Sequence, residues 1–267
     1  MPMHYLFEFW DKIKIDLINR EVFLFLDYDG TLTPIAATPD DVVFSNENKL
    51  LLERLANAPL CHVAVVSGRA VDDLQQRVGL KNITYVVNHG FEVKGPKINF
   101  KSLNAAKIND VLVQIKEEFK KEFNKNKIEG VLIDDKDFTL SIHYRLVDEK
   151  DMPYLENLLN KITEPYLVKE KIKIGLGKKV FEIRPPVEWD KGKVVFWLLT
   201  EQQFASGNNK IFPIYVGDDL TDEDAFKALE KYGITILVGK PKVSHAQYYL
   251  NNTDEVQQFL KEIAKLI

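Results

Sequence analysis

Two short stretches of the sequence place carboxylates directly after apolar runs. Residues 22–34 read VFLFLDYDGTLTP, so Asp27 closes an apolar run and Asp29 follows two positions later. Residues 215–224 read YVGDDLTDED, which again puts a group of acids at the end of an apolar segment. Acids packed this closely repel each other unless a cation lies between them or a proton is shared. Because all the ligands would be oxygens, the two clusters predict a Mg²⁺ site.

The same acids suit phosphoryl transfer. The carboxylate of Asp27 can attack phosphorus and form an aspartyl-phosphate. A magnesium ion held by Asp27, Asp218 and a backbone carbonyl near Asp29 would neutralise the approaching charges. Asp29 can protonate the leaving oxygen and later take a proton from the hydrolytic water. Turn and helix-cap chemistry would explain either cluster alone, but two clusters at strand ends favour a site.

Two more polar segments and one lysine add groups that bind phosphate. Ser67 follows another apolar run and offers a hydroxyl, and the glycine after it lets backbone N–H groups approach. The segment Asn88-His89-Gly90 follows a third apolar run. Lys191, in the segment WDKGK, is predicted to begin a helix, which combines its positive charge with a helix N-terminus.

The pattern of elements predicts how these groups come together. Short apolar runs rich in β-branched residues predict strands at 22–26, 62–66, 83–87, 211–216 and 233–238. Helical patterns separate them at 46–57, 70–78, 191–204 and 222–231. Such alternation predicts a parallel sheet with right-handed crossovers. The carboxyl ends of its strands share one edge, so the polar segments converge on one cleft.

The core strands are split, which predicts an insertion. We expect an α/β protein with a Rossmann-like parallel-sheet core, residues 1–94 and 186–267, and a smaller inserted α/β cap domain, residues 95–185. The insert shows a helix at 104–125, two strands around an acidic turn, a helix at 148–163 and two strands around glycines. This order predicts a small antiparallel sheet covered by helices.

Composition and charge exclude several classes of function. The 267 residues are 45% hydrophobic and 28% charged, with a net charge of −4, which is typical of an ordinary globular protein. Nothing in this charge pattern indicates a nucleic-acid or membrane partner. Cys61 is the only cysteine, so an intrachain disulfide is excluded. No signal-peptide or membrane-span pattern is found, and we expect a cytoplasmic monomer.

In their order along the chain, these motifs resemble the haloacid-dehalogenase superfamily of aspartyl-nucleophile phosphatases. The matching segments are DYDGT, VVSGR, a lysine before glycine, and GDDLTDED. The resemblance implies that Asp27 is the nucleophile and Asp29 the acid/base. It also implies Mg²⁺ binding by Asp27, the Asp29 carbonyl and Asp218, with the phosphoryl group held by Ser67 and Lys191. Asp219 and Asp222 would support the lysine or the metal ligands.

A narrower resemblance is to the trehalose-6-phosphate phosphatase family. It is carried by SIHYR at 141–145, FEIRP at 181–185, the WDKGK segment and GDDLTDEDAF at 217–226. It implies that cap residues bind the sugar, and that a core-side segment lines the same pocket. The implied substrate-binding residues are Arg69, Asn88, His89, Asp134, Lys136, Arg145, Lys178 and Glu182. Relatives often carry Glu where this chain has Asp134.

The cap residues have a second interpretation. Recognition of a sugar needs paired donors and acceptors, which Lys178 and Glu182 could supply. The same residues alternate with apolar ones in a strand pattern, so they could instead form the solvated face of a strand.

The predicted activity is Mg²⁺-dependent hydrolysis of trehalose 6-phosphate to trehalose and phosphate. One alternative keeps the fold and changes the substrate, to a sucrose or mannosyl-glycerate phosphate, or makes the protein a phosphosugar mutase. Another is a non-catalytic sugar-phosphate sensor. A sensor would be expected to have lost Asp27, Asp29, Lys191 or Asp218, and all four are present.

Overall fold

A computed structural model describes residues 3–102, 107–126, 128–240 and 243–267. Its contacts divide the chain into two compact units. The core unit comprises Met1–Phe100 and Trp189–Ile267, and the insert unit comprises Lys101–Glu188.

The described helices and strands alternate through most of the chain. In chain order they are β1 (His4–Tyr5), α1 (Trp10–Leu17), β2 (Val22–Asp27), α2 (Asn46–Asn57), β3 (Cys61–Val66), α3 (Val71–Val78), β4 (Thr84–Val87), β5 (Glu92–Gly95), β6 (Ile98–Lys101), α4 (Asn109–Asn126), β7 (Leu132–Asp135), β8 (Leu140–His143), α5 (Met152–Leu167), β9 (Lys173–Gly177), β10 (Val180–Arg184), α6 (Lys191–Ser206), β11 (Phe212–Gly217), α7 (Glu223–Leu229), β12 (Ile234–Val238), β13 (Tyr248–Leu250) and α8 (Thr253–Leu266).

The core unit is built on one large sheet in the order β1-β13-β12-β11-β2-β3-β4-β5-β6. The strands from β1 to β4 in this order are parallel, and β5 runs antiparallel to β4. Strand β2 lies between β3 and β11 and is buried along its whole length. An uninterrupted apolar strand is expected at such a position, because both faces of a central parallel strand are covered.

Helices cover both faces of this sheet. Helices α1, α2, α3 and α8 contribute to one apolar cluster, which includes Leu24, Leu52 and Phe259. Helices α6 and α7 contribute to a second cluster on the other side, which includes Phe25, Val195 and Phe226. The alternation of Leu24 and Phe25 between the clusters follows from the two-residue period of a strand.

The insert unit has its own sheet and core. Its strands are antiparallel in the order β7-β8-β10-β9. Residues of α4 and α5 pack with Leu140, Ile142, Phe181 and Ile183 in one apolar cluster. The intervening residues of β8 and β10 therefore project from the opposite face of the sheet.

The structure confirms the predicted α/β fold class with its large parallel sheet. The five predicted core strands lie within one residue of β2, β3, β4, β11 and β12. Strands β1 and β13 were not predicted, because two or three residues are too few to show a period. Helices α1 and α8 and the strands β5 and β6 were also missed.

The insert differs in detail from its prediction. Because β5 and β6 extend the core sheet, the contacts place the unit boundary after Phe100, whereas the sequence pattern places it at residue 95. The second helix begins at Met152 instead of residue 148, since residues 149–151 form a separate 3-10 turn capped by Asp148. Residues 103–106, where the first predicted helix begins, lie outside the described residues.

Among the helices in the described parts of the chain, none combines the length and the apolar character needed to cross a membrane.

Candidate active site

The loop after β2 lies against Asp218, an acid from a distant part of the sequence. Asp27 is the last residue of β2 and is buried, while the side chain of Asp29 is 39% exposed. Gly30 has φ +94°, and a Cβ added there would lie 2.0 Å from Oδ2 of Asp218. Only glycine allows this approach, so the turn after β2 lies directly against the acid that follows β11.

Lys191 joins two carboxylates at the start of α6. Its ammonium donates to Oδ1 of Asp27 and to Oδ1 of Asp222, both at 2.7 Å. The lysine is buried, and the side chain of Asp190 caps the helix by accepting from the N–H of Lys193 at 2.8 Å. A fully buried ammonium is stable only when it is paired in this way.

The fully buried carboxylate of Asp222 accepts several hydrogen bonds. Its Oδ1 also accepts from the hydroxyl of Tyr215 at 2.7 Å, and its Oδ2 accepts from the N–H groups of Asp218 and Asp219, both at 2.9 Å. Both oxygens of Asp222 are therefore engaged, which fixes the turn after β11 and the position of Lys191. The side chain of Asp219 accepts from the N–H of Leu220 at 2.7 Å.

Burial and charge set the protonation of this cluster. Burial, helped by the negative charge of Asp222, raises the pKa of Asp27 well above its usual range, and Lys191 only partly opposes it. Burial disfavours the charge on Lys191, but Asp222 and Asp27 overcome it and hold the lysine pKa well above its usual value. Burial likewise opposes the charge on Asp222, yet Lys191 lowers the pKa of that carboxyl. Lys191 and Asp222 are thus both charged at neutral pH.

The cluster has the donor set of a hard cation. Carboxylate oxygens of Asp27, Asp218 and Asp222 lie within 4.8 Å of one another, and all three residues are buried. The hydrogen bonds to Asp222 occupy both of its oxygens, so Asp27 and Asp218 are the better candidates for ligands. Oxygen-only donors and concentrated negative charge fit Mg²⁺.

The loops after the neighbouring strands β3 and β4 are joined by backbone hydrogen bonds. The N–H of His89 donates to the carbonyl of Ser67 at 3.3 Å, and the N–H of Asn88 donates to the carbonyl of Arg69 at 3.0 Å. Asn88 and His89 both adopt positive φ values, 51° and 56°. A Cβ on Gly68 would lie 2.5 Å from the His89 ring. The predicted residues Ser67, Asn88 and His89 are therefore held in one buried arrangement.

Arg69 contacts a catalytic candidate. Its Nε donates to Oδ2 and its Nη2 to Oδ1 of Asp29, both at 2.8 Å, in a bidentate pair. Its Nη1 donates to Asp73 at 2.7 Å. Asp73 was not singled out from the sequence, although its i, i+4 spacing from Arg69 is the signal that could have found it.

In the insert unit, the predicted polar residues share one face of the sheet. Asp134 and Glu182 each pair in register with Ser141. The buried Lys136 donates to Oγ of Ser141 at 2.9 Å and lies 3.7 Å from Asp134 and 4.0 Å from Glu182. Sequence reasoning did not single out Ser141, although it opens the SIHYR motif. His143, in the same motif, has its Nε2 3.9 Å from Oδ2 of Asp134.

The remaining two predicted residues lie at the end of the same sheet. Arg145 donates to the carbonyl of Lys178 at 2.8 Å. Lys178 and Lys179 form the turn between β9 and β10. Asp134, Lys136 and Glu182 thus share one face of the sheet, and Arg145 and Lys178 lie in two turns joined by this hydrogen bond.

The core architecture and its site define a class of protein. The central strand of a parallel sheet ends in a buried aspartate, and a buried lysine and a second acidic strand end lie beside it. An α/β unit is inserted in the chain. Together these features define the haloacid-dehalogenase-like fold. The fold matches the superfamily expected from the sequence.

Comparisons with known proteins narrow this class. The family model of trehalose-phosphatase matches residues 25–256. A rice protein, "Probable trehalose-phosphate phosphatase 4" of Oryza sativa subsp. japonica, is 38% identical over 96% of this chain and 69% of its own length. "Trehalose 6-phosphate phosphatase RA3" of Zea mays is 37% identical over 92% of this chain and 70% of its own length. The chain belongs to the trehalose-phosphatase family.

Solved structures agree. The C-terminal domain of the C. albicans trehalose-6-phosphate phosphatase superposes with a TM-score of 0.84 and 26% sequence identity, covering 100% of this chain and 99% of that one. The resemblance predicted from the sequence motifs is thereby confirmed.

Proposed function

We propose that this protein hydrolyses trehalose 6-phosphate to trehalose and inorganic phosphate, with Mg²⁺, through an aspartyl-phosphate on Asp27. The observation that carries the proposal is the buried cluster of Asp27, Lys191, Asp218 and Asp222 at the sheet edge, in a chain of the trehalose-phosphatase family.

The first step transfers the phosphoryl group to the protein. A carboxylate oxygen of Asp27 attacks phosphorus as the bond from phosphorus to the sugar oxygen breaks. Asp29 donates its proton to that oxygen, so trehalose leaves as a neutral alcohol. The ammonium of Lys191, already 2.7 Å from Asp27, and the hydroxyl of Ser67 stabilise the transferred group.

The second step returns Asp27 to its starting state. Asp29, now a carboxylate, takes a proton from a water molecule as that water attacks the phosphoryl group. The bond between phosphorus and the Asp27 oxygen breaks, and inorganic phosphate leaves. One residue therefore serves as acid and then as base.

Asp27, Asp218 and the backbone carbonyl of Asp29 would hold Mg²⁺. When bound, Mg²⁺ neutralises charge on the attacking carboxylate and on the phosphate oxygens. Asp222 and Asp219 support this arrangement, since Asp222 fixes Lys191 and accepts from the N–H groups of the turn.

Sugar recognition is assigned to the polar face of the insert unit. The proposed hydroxyl-binding residues of this face are Asp134, Lys136, Arg145, Lys178 and Glu182. Within the core unit, Asn88 and His89 are proposed separately as substrate-binding residues. A sugar hydroxyl left unpaired in a buried site costs about 1–3 kcal/mol, so paired acceptors and donors give selectivity. The same proposal describes a cytoplasmic monomer acting on a small sugar phosphate, without a nucleic-acid or membrane partner.

A panel of sugar phosphates tests the proposal. Release of inorganic phosphate is measured for trehalose 6-phosphate, sucrose 6-phosphate, mannosyl-glycerate phosphate and glucose 6-phosphate, each with and without EDTA. We expect the highest kcat/KM for trehalose 6-phosphate, and loss of that rate in EDTA. Preference for another ester would overturn the substrate, and isomer formation without phosphate release would identify a mutase.

The nucleophile is tested in the same assay. Asp27→Asn should abolish phosphate release and leave the thermal unfolding midpoint close to that of the unmodified chain, because the amide oxygen can still accept from Lys191. Asp11→Asn, at an exposed position, is the control and should retain full activity. Retained turnover in Asp27→Asn would remove the nucleophile assignment, whereas absence of phosphate release in the unmodified chain would favour a non-catalytic sensor.

A further inference from the structure

The guanidinium of Arg69 is almost fully occupied inside the core unit. It donates twice to Asp29, once to Asp73 and once, at 2.9 Å, to the carbonyl of Pro39. A guanidinium has five N–H groups, so these four bonds leave one. One face of the group also lies over the ring of Tyr28, 5.5 Å from its centroid. Arg69 is 7% exposed, and little of it is available to a ligand.

A second arginine, Arg77, holds Asp73 in place. Arg77 donates from Nε to Oδ1 of Asp73 at 2.6 Å and from Nη1 to the carbonyl of Val42 at 2.9 Å. Asp73 therefore accepts from Arg69 with one oxygen and from Arg77 with the other. The contacts form a continuous chain from Asp29 to helix α3, on which Asp73 and Arg77 lie one turn apart.

The pair of contacts to Asp29 fixes both of its oxygens in one plane. A bidentate arginine–carboxylate pair is geometrically specific, unlike a contact to a lysine ammonium. Asp29 is the residue with the most demanding geometry in the proposed reaction, because it must reach the leaving oxygen and later the water. A side chain 39% exposed would otherwise sample several rotamers.

We propose that Arg69, held by Asp73, is a positioning residue that orients Asp29 for proton transfer, and that it is not a substrate-binding residue. The inference rests on the proposed role of Asp29 as acid/base, but it does not depend on which sugar phosphate the protein uses. It reassigns Arg69 from the sugar-binding role that the family resemblance implies.

The test compares leaving groups. The value of kcat/KM reports the step in which Asp27 is phosphorylated, and that step needs a proton from Asp29 only when the leaving group is poor. p-Nitrophenol leaves readily as an anion, phenol less readily, and a sugar alcohol needs the proton. The three substrates are p-nitrophenyl phosphate, phenyl phosphate and trehalose 6-phosphate.

In Arg69→Lys we expect the loss of kcat/KM to grow along this series. Since general acid catalysis contributes roughly 10²–10⁴-fold, partial misplacement of Asp29 should cost about tenfold or more on trehalose 6-phosphate and little on p-nitrophenyl phosphate. In Asp73→Asn the loss of kcat/KM should rank the three substrates in the same way, but each loss should be smaller. Arg54→Lys, which changes another arginine of the core unit bonded to a backbone carbonyl, is the control and should show no dependence on the leaving group.

Two results would overturn the proposal. Equal losses on all three substrates would make Arg69 a structural residue only. A raised KM for trehalose 6-phosphate with unchanged kcat would make it a substrate ligand. If Arg69→Lys does not fold, Asp73→Asn decides alone. If the unmodified protein does not hydrolyse trehalose 6-phosphate, the substrate proposal fails, and the two aryl phosphates still decide the role of Arg69.

Discussion

At the scale of single residues, the site pairs one buried ammonium with buried carboxylates and keeps an excess of acidic groups. Asp27, Lys191 and Asp222 are each at least nine-tenths buried, and an unpaired charge there would cost several kcal/mol. Two hydrogen bonds from Lys191 and two from backbone N–H groups make the arrangement stable. The insert unit uses the same principle, since Lys136 is buried between Ser141 and two carboxylates.

Sugar selectivity is tested at this scale with Lys178→Ala and Glu182→Gln. If each residue bonds a sugar hydroxyl, kcat/KM for trehalose 6-phosphate should fall about tenfold or more, because a lost buried hydrogen bond costs about 1–3 kcal/mol. The rate on p-nitrophenyl phosphate, which carries no sugar, should change little.

The matched control for these variants is Lys161→Ala, an exposed lysine on α5 of the same unit. It should alter neither rate. Equal losses on both substrates in the Lys178 and Glu182 variants would mean that these residues have only a structural role.

At the scale of elements, the turns that follow the strands position the acids as much as the strands themselves do. The turn at Gly30 lies against Asp218, and a Cβ on Gly217 would lie 2.4 Å from the carboxyl carbon of Asp222. Gly30 lets the loop after β2 lie against Asp218, and Gly217 lets the turn after β11 fold back so that Asp222 lies against its own strand end. The acids of the candidate site are thereby brought together by close backbone approach as well as by their shared contacts to Lys191.

Gly30→Ala tests this close approach. The added Cβ would overlap Asp218, so we expect turnover to fall and the Mg²⁺ concentration needed for half-maximal activity to rise. Both are measured by titrating Mg²⁺ into the phosphate-release assay. Gly207→Ala is a well-matched control, because Gly207 also has positive φ, +66°, but no atom lies within 4 Å of the added Cβ. It should cost about 1–2 kcal/mol of unfolding free energy, because a Cβ is strained in the left-handed region, and leave the Mg²⁺ titration unchanged. A normal Mg²⁺ titration in Gly30→Ala would contradict the packing argument.

At the opposite edge of the sheet, the starts of β2 and β3 are tied by a carboxylate. Glu21 accepts from Asn208 at 2.7 Å and contacts the ring of His62. Burial would raise the pKa of Glu21, but the hydrogen bonds from His62 and Asn208 prevail and lower it. A carboxyl group whose pKa is lower in the folded chain stabilises the fold above its unfolded pKa.

The stability difference between the unmodified chain and Glu21→Gln should therefore be largest above the ordinary glutamate pKa of 4.5. This stability difference should shrink as pH falls through the lowered pKa that Glu21 has in the folded chain. Urea unfolding at a series of pH values between neutral and acidic measures this difference. Asn208→Ala, which removes one donor, should show part of the effect. A difference that stays constant with pH would show that Glu21 does not contribute through its charge.

At the scale of the whole molecule, the fold assembles the proposed cation site from segments that are far apart in sequence. Asp27 and Lys191 are 164 positions apart, and Asp218 lies beyond both. The insert unit interrupts the core between these segments but contributes none of the three buried carboxylates of the cluster. Metal binding should thus be linked to the folding of the core unit.

Mg²⁺ should raise the thermal unfolding midpoint of the chain. A ligand at a hundred times its Kd stabilises the folded state by about 2.7 kcal/mol. Asp218→Asn should lose this shift together with activity, whereas Asp11→Asn should keep both. The measurement is differential scanning calorimetry with EDTA or with Mg²⁺. An equal shift in Asp218→Asn would exclude Asp218 as a ligand.

The sequence by itself determined the five central strands of the large sheet, their parallel direction and the set of residues at their carboxyl edge. It could do so because apolar runs and helical periods are local, and because parallel strands necessarily end at one edge. Strand ends at Asp27, Ser67 and Asp218 were found within a residue for this reason.

Only the tertiary structure decided which partner each charged group takes. Lys191 lies between Asp27 and Asp222, and Arg69 lies on Asp29. Such pairs depend on distances of a few ångströms, which the packing of remote segments sets and no local pattern encodes. A motif identifies which chemical groups are present, but the packing of the chain determines which of them touch.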